Sequence, residues 1–254
     1  MLDCILLTND DGIDAPGLDV LEGIAAALAR EIWIVAPEHD QSGVSHAVSL
    51  HQPIRISQRG ARRWAVSGTP GDCVAMALSH LMRGTRPQLL LSGVNRGANL
   101  GIETVFSGTV GAAMTGMMLG IPAIALSQAW TDHAQIRWET ATTLGPDVVR
   151  RLMAIGWSAQ TCLSINFPDL PANEAGPLTL ARQGAGSVAG MDVEARTDRR
   201  GMTYYWVGFR RSERAQGPES DIAALNAGRV VVTPLRYDRT DEAAYAMLAR
   251  SLPR

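Results

Sequence analysis

The chain of 254 residues contains no lysine, so all 23 of its basic residues are arginine. This absence excludes sites that need a lysine amine, such as a Walker-A phosphate loop or a Schiff base with pyridoxal phosphate. Cysteine is also scarce, and the three thiols, Cys4, Cys73 and Cys162, form no CxxC pair. We therefore expect reduced thiols in a cytoplasmic protein rather than a disulfide framework or a cysteine metal site.

A strong excess of one charge is absent as well, because the formal net charge is −2. The sequence thus predicts neither a nucleic-acid footprint nor a surface for an anionic membrane. Residues 104–131 carry no charge, but a Gly-Ile-Pro sequence at 120–122 interrupts them. We expect a buried helix and a strand there rather than a membrane span. We also expect no signal peptide, because the N-terminal apolar run is short and Asp3 precedes it.

Short apolar runs alternate with segments of helical periodicity over the first two-thirds of the chain. Strands are predicted from residue 4 and at 32–36, 53–57, 64–67, 89–92, 123–127 and 162–167, and helices at 18–30, from 69 with a capping box, at 109–119 and at 136–155. Such alternation predicts an α/β fold, a mostly parallel sheet with helices on both faces. A Pro- and Gly-rich boundary follows at 168–190, and then a hairpin strand (203–210), a helix (221–227), a strand (230–234) and a helix (241–252).

Two adjacent carboxylates, Asp10 and Asp11, follow the first predicted strand, and Gly12 allows a sharp turn after them. Side by side, two like charges repel each other unless a positive charge neutralises them. Since the chain offers no lysine, a divalent cation is the favoured neutraliser. The alternative is a solvated Asn-Asp-Asp-Gly turn without a ligand.

Other predicted strands also end in oxygen-bearing turns, one containing Ser42 and one containing Asn95 and Asn99. Ligands of doubly wound sheets bind beyond the carboxyl ends of the strands, so these turns should converge near Asp10 and Asp11. Carboxylate, hydroxyl and amide oxygens suit Mg²⁺ or Mn²⁺ better than zinc, which favours His and Cys. Each turn alone is also compatible with ordinary loop chemistry.

The sequence Ser107-Gly108-Thr109 precedes a predicted helix of small residues. A helix start offers free backbone N–H groups and the positive end of the helix dipole, and the two hydroxyls add donors. This segment is therefore predicted to bind a phosphate beside the metal, with Asn99 as a further donor. The alternative is a plain N-cap with close helix packing.

Taken together, these residues resemble the SurE family, the survival-protein 5′-nucleotidases. The shared blocks run in order along most of the chain, at 8–13 (TNDDGI), 15–17 (APG), 36–37 (AP), 41–43 (QSG), 68–70 (GTP), 72–74 (DCV), 92–99 (SGVNRGAN), 107–113 (SGTVGAA), 166–168 (NFP) and 233–235 (TPL). Phe106 departs from the pattern, because a tyrosine is common at its position.

The resemblance implies a metal-dependent phosphomonoesterase that hydrolyses nucleoside 5′-monophosphates with one divalent ion, Mg²⁺ or Mn²⁺, per subunit. It implies that Asp10, Asp11, Ser42 and Asn95 hold the metal. We expect Asp10 and Asp11 to be the catalytic residues through that metal, while the general acid stays open. The resemblance further implies a Rossmann-like catalytic domain over residues 1–185. The smaller region 186–254 would exchange segments between the subunits of a homodimer or homotetramer.

Two other classes of protein are weighed against this interpretation. A phosphatase of the haloacid-dehalogenase type would use an aspartate nucleophile, but that pattern needs aspartates two residues apart and usually a lysine. A non-catalytic nucleotide-binding module would have less need of two adjacent acids. Whether water or Asp11 attacks phosphorus stays open. His39 and His46 could serve as acid–base groups or could simply face solvent. The arginines between 196 and 214 either gather anionic substrate or cover a solvated hairpin.

Overall fold

The computed structural model describes residues 1–252. Its core is a nine-stranded sheet with the order β3-β4-β2-β1-β5-β6-β7-β11-β8. The strands of this sheet are β1 (Leu2–Thr8), β2 (Ala29–Pro37), β3 (Ile56–Gly60), β4 (Arg63–Val66), β5 (Leu89–Arg96), β6 (Ala123–Gln128), β7 (Cys162–Phe167), β8 (Gly176–Leu180) and β11 (Arg229–Leu235). The run from β4 to β7 is parallel throughout, which confirms the predicted α/β fold.

Helices cover both faces of the sheet. The helices of the chain are α1 (Pro16–Ala26), α2 (Pro70–Met76), α3 (Gly108–Met118), α4 (Trp138–Ile155), α5 (Asp221–Asn226) and α6 (Glu242–Leu248), with a π-helix at Ala77–Leu81 and a 3-10 helix at Gly101–Phe106. Of these, α6 buries none of its residues. One apolar cluster joins α1 and α4 to the sheet, and a second cluster on the opposite face joins α2 and α3. Because both faces are covered, β6 and β7 are buried along their whole length, as expected of central parallel strands.

The capping box predicted before α2 is present. The Thr69 hydroxyl accepts a hydrogen bond from the Asp72 backbone N–H, and Asp72 accepts one from the Thr69 N–H. The other oxygen of Asp72 accepts from Ser49 N–H at 3.0 Å, and the Thr69 hydroxyl donates to the Ala47 carbonyl at 2.7 Å. The start of α2 thus also anchors the loop that follows β2.

Several predicted boundaries were wrong. The first helix lies at Pro16–Ala26 instead of 18–30, because Ala29 already pairs with Leu2 in the sheet. The segment expected as a boundary contains the edge strand β8, which pairs with β11. The last helix is shorter than expected, ending at Leu248.

The C-terminal part of the chain divides between the main sheet and a separate hairpin. Strand β11 pairs antiparallel to β7, whereas β9 (Val188–Thr197) and β10 (Thr203–Arg211) pair only with each other in the described part of the chain. The division into a catalytic domain at 1–185 and a C-terminal region at 186–254 remains a prediction. Among residues 1–252, no helix is both long enough and apolar enough to cross a membrane.

Gly17 fixes how closely α1 approaches β5. A Cβ atom at this position would lie 1.9 Å from the carbonyl oxygen of Val94, which is a backbone atom and cannot turn aside. Val94 precedes Asn95, so this contact also sets the position of a predicted metal ligand. Gly23 lies in the same helix, and among the described residues nothing approaches within 4 Å of its would-be Cβ.

These two glycines provide a matched prediction. Gly17→Ala should lower the free energy of unfolding by about 3 kcal/mol or more, because the added methyl overpacks against backbone. Gly23→Ala should raise it by up to about 1 kcal/mol, since alanine is the better helix former. Urea denaturation measures both, and a Gly17→Ala protein as stable as the wild type would contradict the close approach.

Candidate active site

The turns after β1, β2 and β5 meet at the carboxyl edge of the sheet. Asp10 and Asp11 follow β1 after one residue, Asn9. The backbone N–H of Gln41, in the turn after β2, donates to the Asp10 carbonyl at 2.8 Å. At the end of β5, the Arg96 N–H donates to Asp11 Oδ2 at 3.0 Å. The structure therefore places the Ser42 and Asn95 turns beside the acid pair, each one residue from a direct contact with it.

The Asp10 carboxyl is buried and is 3% exposed. Its Oδ1 accepts a hydrogen bond of 2.5 Å from the Thr109 hydroxyl, at the start of α3. Burial raises the pKa of Asp10 to about 7; the Thr109 bond opposes this rise and the neighbouring Asp11 charge adds to it. Burial also raises the pKa of Asp11, against the effect of the Arg96 N–H and guanidinium.

The start of α3 lies against Asp10 because Gly108 has no side chain. A Cβ there would be 2.8 Å from Asp10 Cβ and 2.9 Å from Oδ2. Ser107 is the N-cap, and its Oγ accepts from the Val110 N–H at 3.1 Å. That bond leaves the Ser107 hydroxyl hydrogen as a donor, and the N–H groups of a first helical turn have no partner within the helix. The N-cap and the anion-site interpretations are thus compatible.

Ser42 is exposed, and its turn is held by an acid that the sequence interpretation missed. Asp40 Oδ1 accepts from the Ser42 N–H at 2.7 Å, while Asp40 Oδ2 lies 3.7 Å from the Arg96 guanidinium. An Asp side chain in a turn often accepts from the backbone N–H two residues later, which is an Asx-turn. The position of Asp40 two residues before Ser42 is the sequence signal that could have identified it. Asp40 thereby connects the Ser42 turn to the end of β5.

Asn95 is half-buried and orients its amide toward the backbone. Its Nδ2 donates to the Gly97 carbonyl at 2.8 Å, which leaves Oδ1 as the atom able to ligate a cation. Asn99 lies farther into the β6–β7 layer, where its Nδ2 donates to Ser127 Oγ at 2.9 Å and its N–H donates to Asn166 Oδ1 at 2.8 Å. Its role as a phosphate donor remains a prediction, and it is the one that the geometry supports least.

The donor set fits a hard divalent cation. The two acids lie together in a buried setting that raises both pKa values, so a cation would relieve an electrostatic cost. The neutral donors nearby are hydroxyl and amide oxygens, the ligands of Mg²⁺ and Mn²⁺. Over residues 1–252, no group of three or more His, Cys, Asp or Glu side chains is arranged to hold a metal, so the acid pair would need the neutral oxygen donors to complete a cation site.

Two open cavities flank the centre. One, of about 410 Å³, is lined by Asp11, Arg96, His39 and Trp138 among others. The second, of about 710 Å³, borders Ser107, His46 and Tyr237. Phe106, at the position where tyrosine is common in the family, packs on Phe209 of the hairpin with ring centroids 4.9 Å apart.

The fold and the site define an α/β protein whose polar centre lies at the carboxyl edge of a parallel sheet, between an acid pair and a helix start. The family model described as Survival protein SurE matches residues 5–189 of this chain. The chain belongs to the SurE family, which confirms the resemblance seen in its motifs.

Named relatives and a solved structure agree with this assignment. The chain is 56% identical to "5′-nucleotidase SurE 1" of Burkholderia lata, over 99% of this chain and 97% of the relative. It is 46% identical to "5′-nucleotidase SurE" of Nitrobacter winogradskyi, over 98% of this chain and 99% of the relative. The crystal structure of the SurE protein from Aquifex aeolicus superposes with a TM-score of 0.83 at 31% identity, covering 97% of this chain and 98% of that one.

Thr109 provides a test of the contact between α3 and the acid pair. Thr109→Val should lower the free energy of unfolding by about 1–3 kcal/mol at about pH 8 in EDTA, because a buried carboxylate loses a donor. Thr109→Ser keeps the hydroxyl and should lose less. Urea denaturation provides the measurement. The exposed Thr142→Val, in α4, should change stability by no more than about 0.5 kcal/mol, and an equally small effect of Thr109→Val would contradict the assigned bond.

Proposed function

We propose that this protein is a cation-dependent 5′-nucleotidase, which hydrolyses nucleoside 5′-monophosphates to nucleoside and phosphate. The observation that carries the proposal is the 2.5 Å bond between Thr109 and Asp10. This bond places the start of α3, a potential anion site, directly against the acid pair. A phosphomonoester needs this combination, because its phosphate must meet a cation and hydrogen-bond donors at the same time. The names of the relatives agree with this substrate class.

Each residue of the centre then has a role. Asp10, Asp11, Ser42 and Asn95 would hold Mg²⁺ or Mn²⁺, one ion per subunit. A divalent cation there would supply charge neutralisation and Lewis-acid polarisation of the phosphoryl group. Asp10 and Asp11 are the essential acids of this site. Asp40 and the Arg96 N–H hold the turns that carry Ser42 and Asn95 around them.

The start of α3 would bind and orient the phosphate. The backbone N–H groups of Gly108 and Thr109 belong to the first helical turn, where the helix dipole favours negative charge. The Ser107 hydroxyl adds a donor at the same end. Because phosphate-monoester hydrolysis needs rate enhancements of up to ~10²¹-fold, a fixed phosphate orientation is as necessary as charge neutralisation.

The proposal predicts that substituting either acid abolishes turnover. Asp10→Asn and Asp11→Asn should each lower kcat/KM for a nucleoside 5′-monophosphate by at least about 1,000-fold, because the cation loses a charged ligand. Phosphate release with Mn²⁺ or Mg²⁺ measures this loss, and EDTA should abolish the activity of the wild type. Addition of Mn²⁺ should raise the melting temperature of the wild type but not of the two variants.

Asp19, exposed on α1, supplies the matched control. Asp19→Asn should retain wild-type activity. Full turnover in Asp10→Asn or Asp11→Asn would defeat the proposal, as would a wild type inactive on every nucleoside monophosphate in a panel with Mg²⁺, Mn²⁺, Co²⁺ and Ca²⁺. Trapping a phosphoaspartate on Asp11 would identify the aspartate as the nucleophile.

We also infer a cytoplasmic homodimer or homotetramer. The three cysteines, all within the described residues, are unpaired and buried, which suits a reducing compartment. The hairpin β9–β10 projects from the main sheet and exposes large apolar side chains, including Val193, Trp206 and Val207. A two-stranded hairpin is marginal alone in water, so a second subunit covering it would explain its composition.

Val207 allows the oligomeric state to be tested. It is 68% exposed on β10, and Val207→Arg should convert the wild-type dimer or tetramer to a smaller species, because a charge cannot be buried there unpaired. Light scattering coupled to size-exclusion chromatography measures the mass. Ile155, 70% exposed at the end of α4, provides the control Ile155→Arg, which should leave the mass unchanged. A monomeric wild type would contradict the inference.

A further inference from the structure

The loop that carries Ser42 lies against α3 and the 3-10 helix before it. The Ser45 N–H donates to the Phe106 carbonyl at 3.1 Å, and the Ser45 hydroxyl donates to the Val105 carbonyl at 2.5 Å. Gly111 lies beneath the loop, and a Cβ there would be 2.6 Å from the Ser45 carbonyl oxygen. The loop therefore rests directly on the second turn of α3.

His46 makes the next contact between this loop and the helix. Its Nε2 lies 2.7 Å from Thr115 Oγ1. The Thr115 hydroxyl also lies 2.9 Å from the Gly111 carbonyl, to which it can donate its hydrogen. The hydroxyl of Tyr237 lies 2.8 Å from His46 Nε2 and 3.2 Å from Nδ1, so the imidazole contacts both Thr115 and Tyr237.

A neutral imidazole suits this arrangement. Burial and the charge of Arg239 lower the pKa of His46, so the ring is neutral near pH 7. Tyr237 follows β11, and its ring lies 5.2 Å from the imidazole, centroid to centroid. His46 is therefore held between α3 on one side and the segment after β11 on the other.

We propose that His46 is a positioning residue for the cation, which it holds in register with the phosphate donors through its bond to Thr115. This inference rests on the proposed function, since it concerns the same centre. Ser42 is exposed, and Gly43 adopts the left-handed φ of +80° with nothing within 4 Å of its would-be Cβ among the described residues, so the turn depends for its position on the Asp40 bond and on the contacts of the loop that follows it. Ser45 and His46 make those contacts and fix the loop on α3, whose N-terminus at Ser107–Thr109 carries the proposed phosphate donors.

The experiment separates cation binding from turnover. His46→Ala and Thr115→Val, made in the full-length chain, should each raise the Kd for Mn²⁺ about tenfold by isothermal titration calorimetry, the effect of one lost hydrogen bond. At saturating Mn²⁺, kcat should fall by no more than about threefold, because the phosphate donors are untouched. The double variant should bind Mn²⁺ no more weakly than His46→Ala alone, since both changes remove the same bond.

Two further variants keep the test decisive. Thr115→Ser keeps the hydroxyl and should bind Mn²⁺ like the wild type. If His46→Ala does not fold, the comparison of Thr115→Val with Thr115→Ser still tests the bond. His51→Ala, at an exposed position farther along the same loop, should also bind like the wild type. Wild-type Mn²⁺ affinity in His46→Ala, or additive losses in the double variant, would overturn the inference.

The failure of this inference is distinguishable from that of the proposed function. A wild type that binds Mn²⁺ but hydrolyses no nucleoside monophosphate refutes the nucleotidase proposal, while the calorimetry still decides the role of His46. A wild type that binds no Mn²⁺ overturns both. Equal losses of kcat and Mn²⁺ affinity would show that His46 acts only by supporting the fold.

Discussion

The contact between the end of β1 and the start of α3 determines the geometry of the whole centre. Asp10 is buried at the strand end, and the Thr109 hydroxyl reaches it because Gly108 adds no side chain between them. Strand β1 is fixed in the middle of the sheet by its pairing with β2 and β5. The acid pair therefore follows a central strand of the sheet, and the turns after β2 and β5 are arranged around it.

Glycines make three close approaches possible around this centre. Gly108 lets α3 meet Asp10, Gly111 lets the Ser42 loop rest on α3, and Gly17 lets α1 press on the strand that leads to Asn95. In each case the atom that a Cβ would meet lies within 3 Å, and at Gly17 and Gly111 it is backbone. These small residues thus also set the separations between the acid pair, the Ser42 loop and the start of α3.

The sequence was sufficient where a general rule of parallel sheets applied, and insufficient where tertiary contacts decided. The convergence of the Asp10, Ser42 and Asn95 turns follows from strand order alone, and the capping box at Thr69 is local. By contrast, α1 ends early because Ala29 pairs with Leu2, which helix propensity cannot show. The contacts of Thr115 with His46 and of Asp40 with Arg96 join segments that only folding brings together, whereas the turn of Asp40 with Ser42 is local.

The absence of lysine from the sequence affects the charge balance at the acid pair. Burial raises the pKa of Asp10 and of Asp11, the Asp11 charge adds to the rise at Asp10 and the Asp40 charge to that at Asp11, and the chain has no lysine to oppose them. The nearest arginine, Arg96, approaches Asp11 through its backbone N–H, while its guanidinium faces Asp40. An internal ion pair would have neutralised the acids permanently and left nothing to attract a phosphate. Without one, a cation bound at the proposed site would relieve the electrostatic cost of the bare acids, and that relief would be part of its affinity.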